Sequence, residues 1–557
     1  MILALFGAIV VRVGMLQAGD SDDLREAGAQ QWTRTYELSG QRGTIFDRDG
    51  NELAMSVPAA SISINPMLIE NGDATIQSLH NLLELSDEKI EELRAEIAAA
   101  DLGFVYVARQ VDADVGEQIE SLGLPGVNVD QDSRREYPGG DSVRSLIGSV
   151  DIDGIGTAGL EVQYDDQLMG TDGMLGREIQ PGGKTIPGSE HVIDEPVPGE
   201  DLVLTIDRSI QHVAEQLLIE RVREIPARGA QAIVMDTTTG EVLAMASVRR
   251  TDGKVEVSSG NYALVEAYEP GSVAKVLTVA GALDSGAVTP TSGFDVPWRR
   301  EYYDVMLSDS HQHATEWMDV WKILVVSSNI GTIEIQRTMG SELHHDYMRA
   351  FGWGEATNLG FPNESPGELK PYEDMWGSEK LTTSYGQGVA TTAMQLVAAI
   401  NTVGNEGVYV APKLVKATID AEGEITETDP SDTRRVVSKR AARQTSSIMR
   451  DVLCRGTATQ AQVDGLTIAG KTGTAFKAAD NGTYWTDEGT RKYFASFVGY
   501  FPAEDPEITI LVSVDEPAAT NERFGGTAAA PVFAELAPIV MNELGVQPPA
   551  GSGCPEE

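Results

Sequence analysis

The 557-residue chain predicts an α/β protein in two parts: a mixed α+β segment, then a larger domain with an antiparallel sheet sandwiched by helices. Three observations point there. Pro and Gly gather in Pro181-Gly182-Gly183, Pro187-Gly188 and Pro196-Val197-Pro198-Gly199, which marks a boundary near residue 200. Beyond it, strand patterns stand at both ends of the domain with helical ones between them. Three polar motifs sit within that domain in the order Ser272-Val273-Ala274-Lys275, Ser327-Ser328-Asn329 and Lys471-Thr472-Gly473-Thr474.

Taken in order, the chain opens on an apolar run from Met1 to Leu16, slightly short of the roughly 20 residues that span a bilayer. It has no basic leader and no small-x-small cleavage pattern, so residues 1–17 read as a truncated, uncleaved membrane anchor. Residues 20–38 are polar and expected to be helical. The segment Arg42-Gly43-Thr44-Ile45-Phe46-Asp47-Arg48-Asp49-Gly50 reads as extended chain closed by an Asp-Gly turn. Alternation in Ser61-Ile62-Ser63-Ile64 predicts a strand, and residues 86–99 a helix capped by Ser86. Residues 18–200 thus make the first part and 201–545 the second. In the second, Leu202-Val203-Leu204-Thr205-Ile206 is a strand, residues 208–223 a helix, and residues 230–246 a hairpin around Thr239-Gly240. Residues 494–501 and 508–514 are strands, and a helix over 531–544 precedes a disordered tail at 546–557.

A hydrophobic content of 41% suffices for packed cores in two or three domains. A formal charge of −43 with no basic stripe excludes nucleic acid as a partner. Two cysteines, Cys454 and Cys554, are too few for a disulfide framework, and no bridge between them is expected because the second lies in the polar tail. His311, His313, His344 and His345 lack a third ligand at metal spacing, so neither a metal nor another cofactor is expected. Asp151-Ile152-Asp153-Gly154 imitates a calcium loop, but Ser149 and Leu160 occupy its first and twelfth positions, and a plain turn accounts for it better.

The three motifs carry the chemistry. Attack on an amide carbonyl needs a hydroxyl nucleophile, an amine to take its proton and a backbone edge to hold the substrate. Pro270-Gly271 marks a helix start and puts Ser272 in the first turn, where the helix dipole favours developing negative charge. Lys275, three residues on, shares that face and can approach the hydroxyl. To act as a base its amine must be neutral, which requires burial or a nearby second cation, for which Lys471 is the candidate. Ser327 and Asn329 follow the apolar run Trp321-Lys322-Ile323-Leu324-Val325-Val326, which brings a polar turn beside the nucleophile for proton relay and amide binding.

Two strings imitate these motifs. Ser86-Asp87-Glu88-Lys89 has the S-x-x-K spacing but opens an acidic helix, and reads as a cap with a solvated lysine. Gly465 with Gly470-Lys471-Thr472 fits the phosphate-loop expression. That loop needs a strand before its first glycine and a helix after its threonine, whereas Leu466-Thr467-Ile468-Ala469 looks like strand and Gly473-Thr474-Ala475-Phe476 is not helical.

With these motifs, the Arg42 to Gly50 segment, Gly159-Leu160-Glu161 with Tyr164 and Leu168, Ser384-Tyr385-Gly386-Gln387-Gly388 and Ala530-Pro531-Val532-Phe533, the chain resembles a class B penicillin-binding protein of the FtsI-like division type. The resemblance implies an N-terminal pedestal, or dimerisation-like, domain and a serine-β-lactamase-like transpeptidase domain. It implies that Ser272 is acylated, Lys275 accepts its proton, and Ser327 with Asn329 faces the leaving group and substrate amide. Lys471 would bind the stem-peptide carboxylate, with Thr472, Gly473 and Thr474 contacting substrate. The backbone N–H groups of Ser272 and Thr474 would form the oxyanion hole. The implied reaction removes a terminal D-alanine from a D-Ala-D-Ala stem peptide and transfers the acyl group to an amine of a neighbouring strand, and β-lactams acylate the same serine. The expected setting is the cell membrane, with an extracytoplasmic catalytic domain, a SEDS-type glycosyltransferase and divisome proteins as partners. An elongation-type transpeptidase, a D,D-carboxypeptidase or β-lactamase, and a β-lactam sensor are alternatives that share the acylation site.

Overall fold

The computed structural model describes residues 2–18, 33–178, 186, 188–303, 305–477, 483–487, 489–518, 522–549 and 553–554. Helix α1 (Ile2–Ala18) is 17 residues long, and among the described residues no helix is long and apolar enough to cross a membrane. Residues 20–32, expected to be helical, lie outside the described residues. The rest of that expectation is overturned, because Thr33–Leu38 is strand β1. Thr-Arg-Thr-Tyr-Glu-Leu has a two-residue alternation and β-favouring Thr and Tyr, a better fit to a pleat than to a helix. Its ladder partner is β6 (Gly173–Glu178), with Thr33 opposite Glu178, and β7 (His191–Asp194) completes this small sheet.

The strand read from the Ser61-Ile62-Ser63-Ile64 alternation is part of a longer one. Strand β3 (Glu52–Ile64) is flanked by β4 (Val105–Asp112) and β5 (Val127–Glu136), and β2 (Ile45–Phe46) pairs with its start. Helix α2 (Asp87–Ala99) begins as read: the Ser86 hydroxyl accepts from the Lys89 N–H, and the Lys89 amine pairs with Glu92. Asp151 closes the expected plain turn by accepting from the N–H groups of Asp153 and Ile155. Strand β8 (Asp201–Leu204) runs parallel to β2 and antiparallel to β12 (Val415–Ile419), so one sheet ties chain before residue 200 to chain far beyond it.

A buried ionic brace sits beside that sheet. Arg42 Nε donates to Glu161 Oε2 at 2.7 Å, Arg42 Nη1 to Asp165 at 2.7 Å, and Arg135 Nε to Glu161 Oε1 at 2.8 Å. The Glu161 side chain is 0% exposed, and both its oxygens are met by guanidinium donors. Gly43 follows because a Cβ there would lie 1.9 Å from the Glu200 carbonyl oxygen.

The larger domain is built on a six-stranded antiparallel sheet. In spatial order its strands are β11 (Lys254–Val257), β10 (Val242–Thr251), β9 (Gly229–Asp236), β16 (Ile508–Asp515), β15 (Lys492–Phe501) and β14 (Ala469–Lys477). The two strands read near the C-terminus therefore lie inside the sheet, and every residue of β16 is buried, as suits a strand covered on both faces. Helices α3 (Arg208–Glu224) and α9 (Ala530–Glu543) pack on one face. Helices α4 (Ala274–Asp284), α7 (Ala393–Gly404) and α8 (Lys439–Arg455) form the opposite layer. Strand β14 begins at Ala469 rather than Leu466, since the Leu466 N–H closes a turn onto Val463 and the Thr467 carbonyl accepts from Ala503.

The expectation of unpaired cysteines is wrong. Cys454, at the end of α8, and Cys554 form a disulfide with Cα atoms 5.4 Å apart. Val546 is buried and the Gly553 N–H donates to the Thr467 hydroxyl at 2.9 Å, so the chain after α9 folds back over the approach to β14. That proximity is tertiary and leaves no mark in spacing 100 residues apart. Closing a loop of that size removes about 4–5 kcal/mol of unfolded-chain entropy on the usual model. Residues 550–552 and 555–557 of the expected tail lie outside the described residues.

Arg42→Ala leaves the Glu161 charge buried with half its partners and is expected to cost about 3–5 kcal/mol in chemical denaturation, with Arg42→Lys recovering only part because an ammonium cannot reproduce the forked contact.

Candidate active site

Gly271 has φ +55°, and a Cβ there would meet the Thr474 carbonyl oxygen at 2.9 Å. Only glycine accepts both the left-handed backbone and so close an approach. Its N–H donates to the Gly386 carbonyl at 3.2 Å, which explains the Ser384-Tyr385-Gly386-Gln387-Gly388 segment as a second wall. A 3-10 turn over Gly271–Val273 then leads into α4, so Ser272 stands half-buried at the helix entrance, as the sequence indicated. Gly473 completes the closure, since a Cβ there would lie 2.8 Å from Ser496 Oγ and 2.9 Å from the Pro270 carbonyl. The helix entrance and strand β14 therefore meet backbone to backbone.

Lys275 is 0% exposed on the first turn of α4. Its amine donates to the Ser327 carbonyl at 2.6 Å, to Asn329 Oδ1 at 2.7 Å and to Ser327 Oγ at 3.2 Å. Ser327 occupies the turn between α5 (Val320–Val325) and α6 (Asn329–Met339) and has φ +62°, which aims both its oxygens at the amine. Backbone strain of this sort is rare in a non-glycine residue and gathers at functional sites. Asn329 Nδ2 donates to the Ser308 carbonyl at 3.0 Å, fixing which end of the amide faces Lys275.

Lys471 reaches the same hydroxyl from the other side, with Nζ 3.0 Å from Ser327 Oγ and 3.0 Å from the Thr472 carbonyl. It too is 0% exposed. The Thr472 hydroxyl contacts that of Thr457 at 2.7 Å, and Thr474 Oγ1 accepts from the Gly525 N–H at 3.1 Å. Lys471 and Thr472 lie within a nine-residue edge strand, which rules out the phosphate-loop geometry. The expected residues Ser272, Lys275, Ser327, Asn329 and Lys471 through Thr474 thus converge from three elements.

Two ammonium groups on one hydroxyl, away from water, repel each other and lack solvation. Burial pulls Lys275 down to about 7, with Asp309 opposing the shift. Burial, then repulsion from Lys275, pushes Lys471 well below its ordinary value. At neutral pH Lys275 is therefore close to half protonated, beside Ser327. Sequence reasoning missed Asp309, whose carboxylate accepts from Ser328 Oγ at 2.7 Å and the Ile330 N–H at 2.9 Å. The only signal was its place ahead of two histidines weighed as metal ligands.

A serine at a helix entrance, a buried amine pair and an edge strand beside them define a serine acyl-transfer enzyme of the penicillin-recognising fold. The chain belongs to the class B penicillin-binding proteins: residues 230–537 match the penicillin binding protein transpeptidase domain and residues 37–204 the penicillin-binding protein dimerisation domain. It is 32% identical to penicillin-binding protein PbpB of Mycolicibacterium smegmatis, covering 98% of this chain and 89% of that protein. It is 31% identical to peptidoglycan D,D-transpeptidase FtsI of Escherichia coli, covering 99% and 91%. The solved penicillin binding protein 3 of Mycobacterium tuberculosis, complexed with aztreonam, superposes with a TM-score of 0.72 at 27% identity, covering 94% of this chain and all of that one.

Acylation by a fluorescent penicillin is expected to rise with pH through a midpoint near 7 set by the Lys275 amine, falling about 100-fold from its plateau by pH 5. Lys275→Arg, whose guanidinium keeps its proton, should label at least about 100-fold more slowly with no such rise, and a pH-rate series on both proteins checks it.

Proposed function

We propose that this protein is a peptidoglycan D,D-transpeptidase that cross-links stem peptides through an ester on Ser272. The observation that carries this is the pair of buried amines on Ser327 Oγ beside a serine at a helix entrance. Ser272 Oγ attacks the carbonyl of the penultimate D-alanine and its proton passes to Lys275. The developing oxyanion is held by the N–H groups of Ser272 and Thr474, whose residues the Gly271 approach brings together. Ser327, in contact with both amines, relays a proton to the leaving D-alanine nitrogen, and the C–N bond breaks. An amine from a second stem then attacks the ester, the C–Oγ bond breaks, and Ser272 regains its proton. Asn329 binds the substrate amide, Lys471 with Thr472 and Thr474 the terminal carboxylate, and Gly473 lets the helix entrance close on the strand to which a peptide strand is added.

The name of the Escherichia coli relative and the aztreonam complex of the mycobacterial one support this reading and β-lactam binding, and a covalent bond to the same serine is part of the proposal. A septal role, a membrane anchor formed from the apolar segment beginning in α1, an extracytoplasmic catalytic domain and partnership with a SEDS-type glycosyltransferase and divisome proteins belong to the same proposal. The Cys454–Cys554 bridge favours the extracytoplasmic placement, since such bonds persist in oxidising compartments.

Incubation with fluorescent penicillin followed by peptide mapping should place the label on Ser272, and Ser272→Ala should abolish capture. With pentapeptide and an amine acceptor, one D-alanine should be released per cross-linked product found by mass spectrometry. Capture by a folded Ser272→Ala protein would sink the assignment, and release without cross-linked product would favour a carboxypeptidase.

A further inference from the structure

Asp309 lies in the stretch after a hairpin, outside the three motifs, and is 8% exposed. Its two oxygens take three donors. Oδ1 accepts from the Ile330 N–H at 2.9 Å, while Oδ2 is 2.7 Å from Ser328 Oγ and 3.0 Å from His313 Nε2. Ser328 in turn accepts from the Gly331 N–H at 2.9 Å, so the carboxylate, the serine and the first turn of α6 form one closed network. The strained Ser327 and the amide of Asn329 are the neighbours of the clamped Ser328, and they supply every acceptor that grips the Lys275 amine. His313 backs the clamp. Its Nδ1 faces the Ala314 carbonyl at 2.7 Å and its Nε2 faces Asp309, two acceptors that together favour the doubly protonated ring.

We infer that Asp309 is a positioning residue for acyl transfer: its carboxylate clamps the Ser327-to-Ile330 turn and so holds the three acceptors that orient the Lys275 amine. This rests on the transpeptidase reading for the identity of the reaction, but not for the geometry. Asp309 has a second effect through its charge. Lys275 faces it from α4, Tyr385 from the opposite wall, and His313 with Glu316 beyond it from its own stretch, while Lys471 faces Lys275 from β14. Of these, Lys275 is the amine whose proton the carboxylate favours, so losing the charge moves the deprotonation of Lys275 to lower pH.

The test is a pH series of fluorescent-penicillin acylation rates on the full chain for Asp309→Asn and Ser328→Ala, alongside melting temperatures. Asn keeps the shape and one acceptor but removes the charge. Asp309→Asn is expected to lower the plateau rate on the order of 10²-fold, as a misplaced catalytic group does, and to shift the midpoint to lower pH. Ser328→Ala removes one leg of the clamp without touching the charge, so its plateau should fall while its midpoint stays. A folded Asp309→Asn protein with an unchanged plateau or midpoint would overturn the inference, showing a mere helix cap. Should Asp309→Asn fail to fold, a full rate in Ser328→Ala overturns it and a lowered rate at an unmoved midpoint upholds it. Loss of all labelling in the parent protein would instead strike the transpeptidase reading.

Discussion

Two lysine amines share one serine hydroxyl with no access to water, and the rest of the domain is arranged to make that possible. Lys275 and Lys471 are each fully buried, an arrangement that costs solvation for whichever group is charged. The cost is offset locally by acceptors: the carbonyl and hydroxyl of Ser327, the amide oxygen of Asn329 and the carbonyl of Thr472. An amine held near 7 can exchange a proton at neutral pH.

Holding the amines together demands backbone contacts that side chains would prevent. Gly271 and Gly473 let the entrance of α4 touch strand β14, and β15 fixes β14 by a continuous ladder from Ala469 opposite Tyr500 to Lys477 opposite Lys492. Helix α8 packs against the same strand, and Thr457, just beyond its end, meets Thr472. Stability and chemistry use the same contacts, so the site is no looser than the core that carries it.

Much of the site was legible because its signals are local. Pro270-Gly271 marks a helix start whatever surrounds it, and an i, i+3 spacing puts Ser272 and Lys275 on one face. The strands at 494–501 and 508–514 were legible for the same reason, as largely apolar runs joined through turn residues. What escaped was set by contacts between distant parts. Nothing near Asp309 announces that its carboxylate meets Ser328, and the Glu161 brace joins Arg42, between β1 and β2, with Arg135 of β5. Strand β1 was misread because polarity weighed more than its alternation, which becomes visible only beside β6.

The bridge from Cys454 to Cys554 also orders events in time. Lys471 lies inside the covalent ring, so the ring closes only after the strand bearing that lysine has been synthesised and has met oxidising surroundings. Until then α8 and the approach to β14 lack their tie, and afterwards a partial opening of the sheet edge must drag a closed loop with it. Maturation of this enzyme thus has a chemical finishing step, separate from translation, that encloses the strand bearing Lys471 in a covalent ring.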